Sequence, residues 1–274
     1  MQRIITGIII GGLWLLLLIS DQFWLFWMVS VLLGAFSIRE YMHMTLPNRA
    51  RRDKTAGIIF GTMPIVAAYD GRPETVALTL FIALFFLLAH TLGRYPSLVE
   101  KEGPESGFIL MLRLGFAIFY IGFSLAHFSL IYAKPMGKYW LILLTAITVA
   151  SDSFAYYTGR RFGRTKLCPA ISPGKTVEGF FGGILGAVMV SSAMSLVVFP
   201  QINLFKICFI TIIIVCLSVM GDLTESVIKR TMGVKDSGHI LPGHGGVLDR
   251  VDSLIIATPV LFYLIHLGFL DPGP

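Results

Sequence analysis

The chain has 274 residues, of which 55% are hydrophobic and only 14% charged, with a formal net charge of +6. Soluble domains are about one-quarter charged, so this composition, with a mean hydropathy of +0.78, excludes an ordinary soluble domain. Its apolar runs exceed barrel strands in length and lack strict alternation, which leaves an all-α polytopic integral membrane protein.

The first apolar run, Ile4–Ile19, follows Arg3. No small-x-small cleavage site precedes Ser20-Asp21, and a second run starts at once at Phe23, so the first is expected to stay as an anchor. About nine spans are expected: Ile4–Ile19, Phe23–Phe36, Ala56–Ala68, Val76–Leu92, Gly107–Tyr132, Trp140–Tyr157, Val177–Phe199, Phe205–Gly221 and Ser253–Leu270. With the N-terminus cytosolic, every Lys and Arg except Arg72, Lys134, Lys138, Lys206 and the in-span Arg113 lies inside. The positive-inside rule therefore predicts an external C-terminus. The cluster from Arg49 to Lys54 reads as one of these topology charges. Three cysteines build no disulfide framework, and Cys208 and Cys216 read as small apolar residues in a helix.

Polar residues are scarce in the spans up to about Lys138 and concentrated after it. Residues 1–138 are thus expected to be a membrane scaffold of about five spans. Residues 139–274 are expected to be a catalytic half of about four spans and two cytosolic motif loops.

In that second half, Asp152 stands near the cytosolic end of a span, with Tyr156 one turn on. An acid in an apolar helix is costly and marks a candidate site. The next loop ends in Ser172-Pro173-Gly174-Lys175-Thr176. It is not a P-loop, because Pro169 stands where the first glycine belongs. It does put Lys175 and Thr176 at the start of a helix, where an anion is favoured. Gly179, Gly182, Gly183 and Gly186 follow at spacings that predict close helix packing.

Asp222, Glu225, Ser226 and Lys229 share one helical face directly after an uncharged run. Asp249 and Asp252 open the last helix. Capping would account for either of these two acids. It does not account for Asp222, which sits towards a helix C-terminus, and carboxylates there suit Mg²⁺. Between them, Gly243-His244-Gly245-Gly246 reads as backbone that approaches a ligand closely, with His244 as a phosphate donor.

The run Ser226-x-Ile228-Lys229-Arg230-x4-Lys235-Asp236-x-Gly238-x2-Leu241-Pro242-x-His244-Gly245-Gly246-Val247-x-Asp249-Arg250-Val251-Asp252 resembles the signature of phosphatidate cytidylyltransferases, the CDP-diacylglycerol synthases. The blocks from Asp152 to Tyr156 and from Ser172 to Gly179 resemble other parts of that family, whereas the first half matches only in hydropathy. The resemblance implies transfer of CMP from CTP to phosphatidate, at a cytosol-facing site of a multi-pass protein in the cell (inner) membrane. It implies Mg²⁺, with a second, monovalent cation such as K⁺, and a homodimer among membrane lipids; no nucleic-acid partner is expected. Carried over by residue, Asp222 and Asp249 become metal ligands, with Lys175 and Lys229 beside them in catalysis. Asp152, Ser226, Lys235, Asp236, His244, Gly245, Gly246 and Arg250 become substrate contacts. Other readings stay open: a CTP-dependent enzyme on another lipid (an ether-lipid cytidylyltransferase or a polyisoprenol kinase), or a transporter, although the acids lie at span ends rather than at a midplane.

Overall fold

A computed structural model describes residues 2–241, 243 and 245–270. Its helices are α1 (Gln2–Ile19), α2 (Phe23–Thr45), α3 (Arg51–Ala67), α4 (Pro73–Glu102), α5 (Ser106–Phe116), α6 (Ser124–Tyr132), α7 (Gly137–Phe162), α8 (Val177–Val198), α9 (Leu204–Thr231), α10 (Leu248–Ile255) and α11 (Ala257–His266). Two strands, β1 (Lys166–Cys168) and β2 (Ser172–Thr176), form an antiparallel hairpin between α7 and α8. Among the described residues, six helical stretches are long and apolar enough to cross a membrane: Phe23–Thr45, Pro73–Glu102, Ser106–Tyr132, Gly137–Phe162, Val177–Val198 and Leu204–Thr231. The other expected spans are helical but shorter, and the last of them is broken at Ile256, between α10 and α11.

The chain forms two compact units, Met1–Lys134 with Met232–Arg250, and Pro135–Thr231 with Val251–Pro274. The sequence division at residue 138 assigned 232–250 to the C-terminal half. By its contacts that loop groups with the first unit.

In the first unit, α2, α3, α4 and the stretch from α5 to α6 lie against one another. Ile38, Met42, Leu110, Leu114, Ile118 and Ile121 are fully buried between them. Residues Ala117–Phe123 are π-helical. A side chain at Gly122 would strike the Gly61 carbonyl, so α3 meets this segment backbone to backbone. Helix α3 has 17 residues, about 25 Å at 1.5 Å per residue, just short of a hydrocarbon core of about 30 Å. Its two ends are tied to longer neighbours. At its start Asp53 accepts from Arg94 at 2.8 Å and 3.2 Å and contacts His90 at 3.0 Å, and near its end the Ile65 and Val66 carbonyls accept from Trp27 Nε1. The Asp53 carboxyl is fully buried, and these partners compensate its charge.

In the second unit, α7 packs on α8, and α8 on α9. The glycine spacing read from the sequence has the packing role expected of it. Added side chains would meet the Ala155 and Ser151 carbonyls at Gly179 and Gly183, Thr158 at Gly182, and the Phe154 ring at Gly186.

Candidate active site

The second unit builds its site from α7, the β-hairpin, α8 and α9. Pairing of Lys166 with Thr176 and of Cys168 with Ser172 closes the hairpin. It delivers Thr176 as the N-cap of α8, where its hydroxyl accepts from Gly179 N at 3.0 Å. Glu178, in the first turn, accepts from Thr165 N at 3.1 and 3.2 Å and ties the loop back to the helix. Lys175 is thereby held on a strand immediately before the cap. Its Nζ lies 2.5 Å from Asp222 Oδ2 on α9, with both side chains just over a quarter exposed. Ser226, one turn along α9, donates to Asp222 Oδ1 at 3.3 Å.

Lys175 also lines a cavity of about 440 Å³ with Asp152, Tyr156, Arg160, Lys166 and Thr176. Arg160 donates to the Tyr156 hydroxyl at 3.3 Å. Three cations around one opening suit a multiply charged anion. The sequence reading identified Asp152 and Lys175 and passed over Arg160 and Lys166, whose spacing is that of ordinary topology charges.

Deeper on α9, Lys229 bonds Glu225 at 2.8 Å; Glu225 is fully buried and Lys229 almost so. Lys229 therefore neutralises a buried acid, a task not read from the sequence. Asp252, on α10, belongs to the same cluster through a side-chain hydrogen bond with Glu225.

The signature loop is organised within the first unit. Asp249 Oδ2 accepts from Ser237 N at 3.0 Å, Ser237 Oγ at 3.0 Å and Gly246 N at 2.7 Å. The Asp249 carboxylate thus closes the loop across 12 residues. Gly243 and Gly245 have φ of 74° and 79°, a region that favours glycine. Lys235, Asp236 and Arg250 are exposed, with Asp236 Cβ beside the backbone of Gly245. His244 lies outside the described residues.

One residue of this loop's support went unread in the sequence. Glu40, buried on α2, accepts from Val247 N at 3.0 Å, Leu248 N at 2.9 Å and Ser237 Oγ at 3.1 Å. Side chains on Gly238 or Gly246 would collide with its carboxyl. Glu40 therefore caps the start of α10 from some 200 residues away in sequence. Ser-Ile-Arg-Glu at the end of an apolar span gives only one signal of this, the cost of an acid at that depth.

Among the described residues no three or more His, Cys, Asp or Glu side chains gather as a metal cage. Mg²⁺ asks for less, one or two carboxylates with the remainder supplied by phosphates and water. Asp222, partly exposed and adjacent to a cation, fits that donor chemistry. Asp249 is also a hard-oxygen donor, although its Oδ2 already serves the loop.

These features define a polytopic helical membrane protein with a cavity lined by Lys175, Arg160 and Lys166 in its second unit. More particularly, the chain belongs to the cytidylyltransferase family, whose sequence profile matches residues 1–268. It is 34% identical over 272 residues to the phosphatidate cytidylyltransferase of Bacillus subtilis (strain 168), covering 97% of each chain. Against the enzyme of that name from Staphylococcus saprophyticus it is 35% identical over 241 residues, 86% of this chain and 88% of the relative. Against that from Thermotoga maritima it is 38% identical over 176 residues, 62% and 65% of the two chains.

Proposed function

We propose that this protein transfers CMP from CTP to phosphatidate, giving CDP-diacylglycerol and pyrophosphate for phospholipid biosynthesis. The observation that carries the reading is the likeness to the Bacillus subtilis enzyme along almost the whole of both chains. The grouping of Lys175, Arg160 and Lys166 around one cavity, with Asp222 on Lys175, supports it.

The chemistry asks little of a protein base. A phosphomonoester has a second pKa of about 6, so phosphatidate is largely dianionic at neutral pH and is itself the nucleophile. Its oxygen attacks the α-phosphorus of CTP, the bond from that phosphorus to the bridging oxygen breaks, and pyrophosphate leaves. What the protein supplies is alignment and charge neutralisation. Lys175, Arg160 and Lys166 are the residues assigned to hold phosphate oxygens, and the Asp249 and Glu40 hydrogen bonds hold the backbone from Gly246 to Leu248. Mg²⁺, for which Asp222 and Asp249 are the assigned carboxylates, would neutralise phosphate charge and polarise the reacting phosphoryl group. Ser226 donates to Asp222, which suits an orienting group rather than a nucleophile. In the orientation set by the basic residues, this chemistry faces the cytoplasm.

Membranes containing the protein, given phosphatidate and CTP labelled at the α-phosphate, should move the label into the lipid extract with release of one pyrophosphate. Lipid labelled from γ-labelled CTP instead would mean a kinase and overturn the proposal.

A further inference from the structure

The cations from Arg39 to Lys54 have an arrangement that a topology signal does not need. Arg39 and His43 lie one turn apart on one face of α2, and Arg51, Lys54, Thr55 and Ile58 share a face of α3. With Arg49 they enclose a cavity of about 440 Å³ that no acid lines. The first-turn acid of α3, Asp53, is turned away into its contacts with Arg94 and His90. Topology asks only that charges lie on the correct side of the membrane. Convergence on one space is a further cost of mutual repulsion, unless an anion occupies that space.

Two independent observations point to an occupant. The Arg49 side chain is 8% exposed, and its Nη2 is taken by Glu102 at 2.7 Å and the Ser106 carbonyl at 3.3 Å. Its Nη1 is buried with no hydrogen-bond partner. A buried guanidinium donor left without a partner is costly, and Arg49 is one of the residues that line the cavity. The second is the start of α3. Its N-cap, Ala50, offers no side-chain cap, so the first N–H groups of the helix have no side-chain acceptor there. Among the described residues, Arg39 and Arg51 have no side-chain hydrogen bond or ion pair.

We propose that Arg39, His43, Arg49, Arg51 and Lys54 form a binding site for a phosphate group, built from residues other than those assigned to CMP transfer. The planar forks of three arginines suit phosphate oxygens, and Thr55 adds a hydroxyl. The proposal does not depend on the transferase reading, since it concerns a ligand that is held and not converted. The phosphate could be carried on an anionic lipid headgroup or be free in solution, and both sources share this chemistry.

The test uses the full chain purified in a non-ionic detergent. Native mass spectrometry would count bound dioleoyl-phosphatidylglycerol against dioleoyl-phosphatidylcholine, and thermal unfolding would be followed with and without millimolar inorganic phosphate. Wild type should retain the anionic lipid in preference, and Arg39→Gln/Arg51→Gln should retain at least tenfold less. Arg39→Lys/Arg51→Lys, which keeps both charges, should recover part of the binding and guards against a folding defect. The pair Arg161→Gln/Arg164→Gln removes the same charge elsewhere and should bind as wild type. Stabilisation of wild type by inorganic phosphate, lost in Arg39→Gln/Arg51→Gln, with no lipid preference, would identify free phosphate as the source. Equal lipid retention by all variants with no phosphate effect would overturn the site, as would equal losses from the two glutamine pairs.

Discussion

At the scale of single residues, carboxylates do most of the organising, and each does it differently. Glu40 satisfies two buried N–H groups and a hydroxyl of the signature loop. Glu40→Gln puts an amide donor where an acceptor is needed, and a buried donor left unmet costs about 1–3 kcal/mol. Glu40→Gln should therefore lower kcat/KM at least tenfold and speed proteolytic cleavage between Met232 and Val247, with Glu40→Asp recovering only part. Wild-type kcat/KM with unchanged cleavage would show that the clamp is dispensable. Asp222 is expected to fail in another way. Asp222→Asn and Asp249→Asn should each abolish turnover, but only Asp249→Asn should also loosen the loop, because only Asp249 holds loop N–H groups. Asp252→Asn should be milder. Near-normal activity of Asp222→Asn at limiting Mg²⁺ would refute the ligand assignment. Lys175→Ala should cost at least tenfold in kcat/KM, about 1.4 kcal/mol of transition-state stabilisation. Arg161→Ala should cost much less, since an exposed charge is screened within about 8 Å at physiological salt. Equal losses in the two would mean that the basic face acts by general attraction.

At the scale of elements, the contact of α7 with α8 sets the frame of the cavity. Gly183 faces the Ser151 carbonyl, and backbone cannot step aside for a side chain. Gly183→Leu should lower the melting temperature of the detergent-solubilised protein, at a typical overpacking cost of about 1–3 kcal/mol. Gly11→Leu, at a position with no neighbour, should not. Unchanged melting for both would mean that the helices yield more than their contacts imply. The β-hairpin is an element that the sequence reading did not foresee. Three and five residues are too short for a periodicity signal, and the hairpin is fixed by its pairing and by Thr176 and Glu178 at the head of α8.

At the scale of the molecule, the outstanding choice is the number of crossings. Nine crossings put the C-terminus outside, and they require the short helix α3 to cross. Its ties at both ends to longer neighbours favour that. Reporter fusions after Lys138 and at the C-terminus should both read as external. A cytoplasmic reading at the C-terminus would mean an even number of crossings.

Composition and hydropathy were enough to specify a helical membrane protein, because the bilayer leaves backbone polar groups few ways to be satisfied. The motif residues around Lys175, Asp222 and Asp249 were legible for a similar reason. Charged side chains and glycines are conspicuous against an apolar background, and several of them are local in sequence. Tertiary structure alone decided the partnerships over long separations: Glu40 on the loop before α10, Asp53 with Arg94, and Lys175 on Asp222. It also grouped residues 232–250 with the first unit by their contacts, and drew Arg39 and Arg51 to one cavity. Hydropathy records how much each residue costs to bury, but not which distant group will compensate it, and that is settled only when the helices pack.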